Sequence, residues 1–582
     1  MLYLPSRITF AIYCFLALLI SLTPAVSLSQ YDPNAIEPIG KLNGSLLLHG
    51  GGKMDERTRQ VFVELAGSKE AHIVVVPSAS AEIAAEEELL KKWREYDHAS
   101  LAVLHATSRA DAESETTLRI LRQATGVWIN GGDQERLESL YVDNNFEVEL
   151  LNVIKRGGVV GGSSAGAAIA SKVMISRGNE HRGFDLLPAA IVDQHFIQRN
   201  RQTRLTEMVA RHPLRFGIGI DEDTALIVKG RRLTVLGSSQ VVIHMAASTH
   251  QPVLTKSLRE GDTADLIALH RTVLARQAER FPPAPAPVPQ VPQGTLFIVG
   301  GGGIPDGLLE KFIEKAGGPA APIVYVPCLE EEDASRDRFA NVLRRSGAEN
   351  VTTFHTKDRN KANSDEAFLE PLKNAKGIWF GGGRQWNFVD SYQNTQAHRL
   401  MLAVLERGGA IGGSSAGASI QGDYMPRGDP LGNLNIIAPG YERGLGFLRG
   451  VAIDQHFAQR GRFKDMTLLV KTYPQLLGIG IDESTAIIVT GQTAEVVGQG
   501  QVAFYNAAEL NAAQTDAAQP DASAANPDQP QATSANGTGK TTTTNLDQEP
   551  STIKDYVSLA AGECYDLKER HVVTKEINTN QP

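Results

Sequence analysis

The chain spells one glycine-serine motif twice. Val160-Gly161-Gly162-Ser163-Ser164-Ala165-Gly166-Ala167 returns about 250 residues later as Ile411-Gly412-Gly413-Ser414-Ser415-Ala416-Gly417-Ala418. Gly-x-Ser-x-Gly lets a strand turn sharply into a helix, leaving a serine hydroxyl exposed at the turn with backbone N–H groups of the helix start behind it. That geometry suits acyl transfer. Its repetition restricts the whole chain to folds that can be built in two copies.

Much else falls into register around the two motifs, so an internal duplication explains the pattern. Gly44-Ser45-Leu46-Leu47-Leu48-His49-Gly50-Gly51-Gly52 matches Gly294-Thr295-Leu296-Phe297-Ile298-Val299-Gly300-Gly301-Gly302, and His72 to Pro77 matches Pro322 to Pro327. Near-continuous apolar runs bounded by glycine and proline describe strands covered on both faces. Helical patterns at 56–66 and 306–315 lie between them. Each half therefore reads as an α/β domain with a doubly wound parallel sheet, whose site belongs at the carboxyl ends of the strands.

With 582 residues, 42% of them hydrophobic and 21% charged, two globular domains are the natural division. Residues 1–29 have the form of a secretory signal peptide: Arg7, the short apolar run Phe10 to Leu22, then Ala25-Val26-Ser27. The mature protein is then expected to be secreted or periplasmic, with no membrane anchor. The first domain is expected over 43–275 and the second over 294–575. Between them 281–293 is proline-rich and reads as a semi-rigid spacer, while 511–550, rich in Ala, Gln, Asp, Thr and Asn, reads as a disordered insertion. Beyond it, Ser558-Leu559 with Gly562 and Asp566-Leu567 repeats Ser257-Leu258 with Gly261 and Asp265-Leu266, so the tail closes the second domain. A net charge of −9 gives no footprint for nucleic acid, and three cysteines, one inside the signal segment, cannot make a disulfide framework.

Three further blocks recur. Trp128-Ile129-Asn130-Gly131-Gly132-Asp133-Gln134 is answered by Trp379-Phe380-Gly381-Gly382-Gly383-Arg384-Gln385; such a turn either offers N–H groups to an oxyanion or simply needs glycine. Asp193-Gln194-His195-Phe196 is answered by Asp454-Gln455-His456-Phe457. A serine hydroxyl needs a base, and a histidine downstream of both serines marks His195 and His456 as candidates. Arg199, Arg201 and Arg204 follow, against Arg460, Arg462 and Asp465; they either grip a substrate carboxylate or form a solvated basic face. The third block, Gly217 to Glu222 and Gly478 to Glu483, either supports the site from behind or is an ordinary turn before a strand. For the acid that orients each histidine the candidates are Glu180 and, aligned through Met174/Met425, Asp429; either could instead be a surface carboxylate.

This ordered set, GGDQ, GSSAG and DQHF with spaced arginines, resembles the cyanophycinases, relatives of the aspartyl dipeptidase (dipeptidase E) group of serine peptidases. The resemblance covers both halves. It implies a fold similar to class I glutamine amidotransferases, no metal or organic cofactor, and a substrate, cyanophycin, whose polyaspartate backbone carries arginine on its side chains and is cut to β-aspartyl-arginine. It further implies that Ser164 and Ser415 are nucleophiles, that N–H groups of Gly132, Ala165, Gly383 and Ala416 hold the oxyanion, and that Gln134, Asp193, Gln194, Gln385, Asp454, Gln455 and the arginines bind substrate. Arg384 and Asp465 depart from the pattern, which makes the second domain the one to have drifted in specificity. The two domains could also pair with each other. Other readings are an aspartyl peptidase acting on short acidic or isoaspartyl peptides, a lipase or esterase, which would leave DQHF unexplained, and a binder of acidic polymer that does not cut it.

Overall fold

The computed structural model describes residues 39–508 and 555–573; the expected signal peptide and the 511–550 insertion lie outside the described residues. In the first half five parallel strands stand in the spatial order Ser45–His49, Val159–Ser163, Gly126–Ile129, His72–Val76 and Ser100–Val103. Thr224–Lys229, Arg232–Gly237 and Thr263–Asp265 extend the Ser45–His49 edge as antiparallel strands. The central strand explains why its sequence is apolar throughout: Leu46 and Leu48 enter the core on one face of the sheet, Leu47 the core on the other. Helices cover both faces, as in Glu56–Ala66, capped by Asp55 at its start and by Gly67 at its end.

The second half repeats the plan. Val291–Val299, Ala410–Ser414, Gly377–Phe380, Ile323–Val326 and Val351–Thr353 form the parallel set, with Thr485–Gly491, Thr493–Gly498, Cys564–Asp566 and His571–Val573 on the antiparallel side. Leu296 and Ile298 again face one core and Phe297 and Val299 the other. Each half also carries a small second sheet. In the first, Ala190–Gln194 lies parallel to Phe216–Ile220, followed by Gln240–Met245 and Leu254–Arg259; in the second, Leu448–Gln455 lies parallel to Leu477–Ile481, followed by Val502–Tyr505 and Val557–Leu559. The chain is thus a tandem pair of α/β units.

The proline-rich segment does not stand free. Phe281 stacks on Tyr424, Gln475 donates to the Pro282 carbonyl at 3.2 Å, and from Val291 onward the segment is already strand.

Candidate active sites

Both serines sit at strained turns. Strand Val159–Ser163 enters, Ser164 takes φ 54° and ψ −111°, and the helical turn Ala165–Ala168 leaves; Ser415 repeats this with φ 57° and ψ −113°. A non-glycine residue in that region costs on the order of 1–3 kcal/mol and persists only where its surroundings impose it. Here the flanking glycines impose it. A Cβ on Gly162 would lie 2.5 Å from the Gly166 carbonyl oxygen, and one on Gly166 would lie 2.1 Å from that of Ile129.

The hydroxyl of Ser164 lies 2.8 Å from His195 Nε2, and His195 Nδ1 lies 2.5 Å from Glu222 Oε1. In the second half Ser415 to His456 is 2.9 Å and His456 to Glu483 is 2.5 Å. A carboxylate can only accept, so Nδ1 carries the proton and Nε2 is left to take one from the serine. The small sheet sets this up: His195 follows Ala190–Gln194, Glu222 follows the parallel neighbour Phe216–Ile220, and the two strand ends place imidazole and carboxylate side by side. Asp221 fixes the intervening turn by accepting the N–H groups of Ile197 and Gln198 at 2.9 and 3.0 Å. Burial lowers the pKa of His195 and of His456; the hydrogen bonds they donate to Glu222 and Glu483 work against that, and the nearby Arg199 and Arg460 reinforce it. Both imidazoles are therefore neutral at neutral pH, the form a base needs.

The glycine turns abut the serines. A Cβ on Gly131 would stand 3.1 Å from that of Ser164, and one on Gly382 would stand 3.6 Å from that of Ser415. Among the described residues the N–H groups of Gly132, Ala165, Gly383 and Ala416 have no acceptor within the protein. They are available to a developing oxyanion.

The acids expected from sequence are not the ones beside the histidines. Glu180 lies on the exposed hairpin strand Asn179–Arg182 and takes His212 Nε2 at 2.9 Å, while Asp429 accepts the N–H of Leu431 within its own loop. Glu180 and Asp429 lie between serine and histidine in the chain, whereas Glu222 and Glu483 come after the histidine. One signal was present: the separation from histidine to acid is 27 positions in both halves, while that from serine to histidine is 31 in one and 41 in the other.

Several expected substrate contacts also turn out to be internal. Asp193 is fully buried and bound by Arg204 through Nε at 2.7 Å and through Nη2; Arg201 donates to Gln194 at its carbonyl (2.9 Å) and its Oε1 (2.6 Å). Asp454 is held likewise by Arg462 at 2.6 Å, and Arg462 also donates to the Gln455 carbonyl at 2.7 Å. A buried carboxylate needs such partners, so these arginines are fastened to their own block. Gln134 donates to the Ile175 carbonyl and Gln385 to those of Pro426 and Arg427, pinning the segment beyond each elbow. Arg199 and Arg460 remain open to solvent.

The second site is more enclosed and more basic. Arg427 is buried and bridges Asp454 at 3.0 Å to Asp465 at 2.6 Å, filling the place of Arg204. Arg384 donates to the carbonyls of Asp429 and Gly432 and so draws the longer loop over the serine. A cavity of about 180 Å³ remains beside Ser415, lined by Arg384, Arg427, Asn433, Arg460 and Arg462 among others.

The profile of peptidase family S51 matches residues 46–236 and again 296–497. The chain belongs to that family. It is 35% identical over 232 residues to a cyanophycinase of Synechococcus elongatus, an alignment spanning 36% of this chain and 72% of the relative. Against the cyanophycinase of Trichormus variabilis the identity is 36% over 237 residues, 38% of this chain and 77% of the relative. Among solved structures, a peptidase from an acI-B1 actinobacterium is similar at 21% identity, covering 39% of this chain and 98% of its own, with a TM-score of 0.32. Membership of family S51 makes the protein a serine-type peptidase, a hydrolase.

Proposed function

We propose that the protein is an exported cyanophycinase, cutting cyanophycin to β-aspartyl-arginine, with the first half as the principal site. The observation that carries this reading is the Ser164–His195–Glu222 arrangement beneath a glycine turn with two open N–H groups. On this reading Ser164 Oγ attacks the scissile carbonyl carbon and His195 Nε2 takes its proton. The N–H groups of Gly132 and Ala165 hold the oxyanion, and the proton passes to the leaving nitrogen as the C–N bond breaks. A water molecule, deprotonated by the same imidazole, then releases the acyl group. Glu222 keeps the ring oriented and stabilises its protonated form. Arg199 is the open cation for the free α-carboxylate that each substrate arginine carries. Export rests on the signal-like residues 1–29.

A second reading applies to the second half. The small basic cavity beside Ser415 favours short acidic peptides over an arginine-bearing polymer.

The test is incubation of the protein with insoluble cyanophycin, following clearing and product mass. Release of β-aspartyl-arginine that is lost in the Ser164→Ala/Ser415→Ala double variant supports the reading. Cleavage of aspartyl peptides without clearing moves the activity to short substrates, and no serine-dependent cleavage of either overturns it.

A further inference from the structure

Where the two halves meet, a cavity of about 390 Å³ opens beside the helix Leu266–Gln277. Five guanidinium groups line it: Arg271, Arg276 and Arg280 from one side, Arg359 and Arg443 from the other. Glu442 is the carboxylate among the residues lining it. In a chain whose net charge is −9, this is a local reversal of sign.

The way these cations are held shows how much of the charge is left over. Arg271 is matched by Asp390 at 3.2 Å. Arg276, buried, donates to Ala246 O at 3.1 Å, to Gln251 Oε1 at 2.5 Å and to Pro252 O, all neutral acceptors. Arg443 donates to the Glu279 carbonyl at 3.4 Å and lies 4.1 Å above the Phe281 ring. Among the described residues no carboxylate lies within ion-pair distance of Arg276, Arg280 or Arg443. Neutral dipoles orient a guanidinium without cancelling its charge, and a buried cation held only in this way lacks its counter-ion. Burial lowers the pKa of Arg276 and, against the opposing charges of Asp423, Glu442 and Glu279, that of Arg443. It also raises Glu442 to about 7, so even that carboxylate carries only part of its charge at neutral pH. The volume falls within the range of small-molecule sites.

We infer that this cavity binds a small oxyanion bearing two or more carboxylate or phosphate groups, gripped by guanidinium groups from both halves at once. Such a ligand bridges the halves, and its binding site is separate from either serine.

Titration calorimetry on the full chain at low ionic strength, with citrate and separately with inorganic phosphate, tests this. One saturable site per chain is expected. Tighter citrate binding assigns the carboxylate class and tighter phosphate binding the phosphate class. Arg280→Gln/Arg443→Gln should weaken binding at least about tenfold, since two charge-assisted contacts are removed. Arg280→Gln alone, at an exposed position where folding is not at stake, should weaken it several-fold. Ser164→Ala and Ser415→Ala should leave it unchanged. No saturable binding of either anion, binding indifferent to Arg280 and Arg443, or binding that shifts with the serines overturns the inference.

Discussion

The helices Gln134–Tyr141 and Trp386–Tyr392 follow the same glycine turn at the same distance from their serines, yet they do different work. In the first half Asp133 caps the helix, accepting N–H groups of Glu135 and Arg136, and pairs with Arg177 at 3.0 Å. Glu135 and Glu138 hold Ser176 and His181 of the neighbouring hairpin, so this face stays acidic and near solvent. In the second half the matching positions are Arg384, Trp386 and Val389. Trp386 lies beneath the guanidinium of Arg231 at 4.4 Å, Arg271 donates to the Val389 carbonyl, and Asp390 collects Arg231, Arg271 and Tyr441. The helix face that stays near solvent in one copy is buried against the other copy in its twin. The residues that differ at matching positions are therefore those that form the contact between the halves.

The largest expected effect that tests the shared part of this comparison concerns the acids. Glu222→Gln should lower kcat of the first site roughly 10³–10⁴-fold, because the wrong imidazole tautomer is then favoured. Glu180→Gln should change it less than about twofold, as measured by β-aspartyl-arginine release. The interface comes next. Asp390→Asn leaves buried Arg271 with a weakened partner, while half-buried Arg231 keeps Asp265, and should cost about 3 kcal/mol, seen as a lower melting temperature, whereas Ser139, the matching residue of the first half, should tolerate change.

Reversing one of the departures sharpens the contrast in specificity. Arg384→Asp alone, made in the Ser164→Ala background and leaving Asp465 to pair with buried Arg427, should raise cleavage of arginine-bearing substrate at Ser415 roughly tenfold. The smallest difference is expected in pH dependence. Burial lowers both histidines, so each stays neutral below its ordinary 6.5 and kcat/KM falls only as pH drops through the lowered value. The acid limbs measured in Ser164→Ala and Ser415→Ala should nearly coincide, both below pH 6.5.

The serines and histidines were legible because their surroundings leave few alternatives. Gly162 and Gly166 face carbonyl oxygens where no side chain fits, and such positions keep their residue in both copies. Apolar strands such as Leu46 to Leu48 were legible for the same reason, being covered on both faces. The acids were not, because Gly-Ile-Gly-Ile-Asp-Glu looks like any strand end, and only the pairing of Ala190–Gln194 with Phe216–Ile220 brings Glu222 to His195. The arginines misled in another way. Spacing alone makes Arg204 a substrate anchor, but the buried carboxylate of Asp193, eleven positions earlier, makes it an internal partner.

The most direct test of two complete sites with divided specificity is kcat/KM for soluble cyanophycin fragments, compared between Ser164→Ala and Ser415→Ala. The account predicts that Ser415→Ala keeps most of the wild-type value while Ser164→Ala falls by at least about a hundredfold. A Ser164→Ala variant that cleaves as well as wild type, or equal losses in the two, would contradict it.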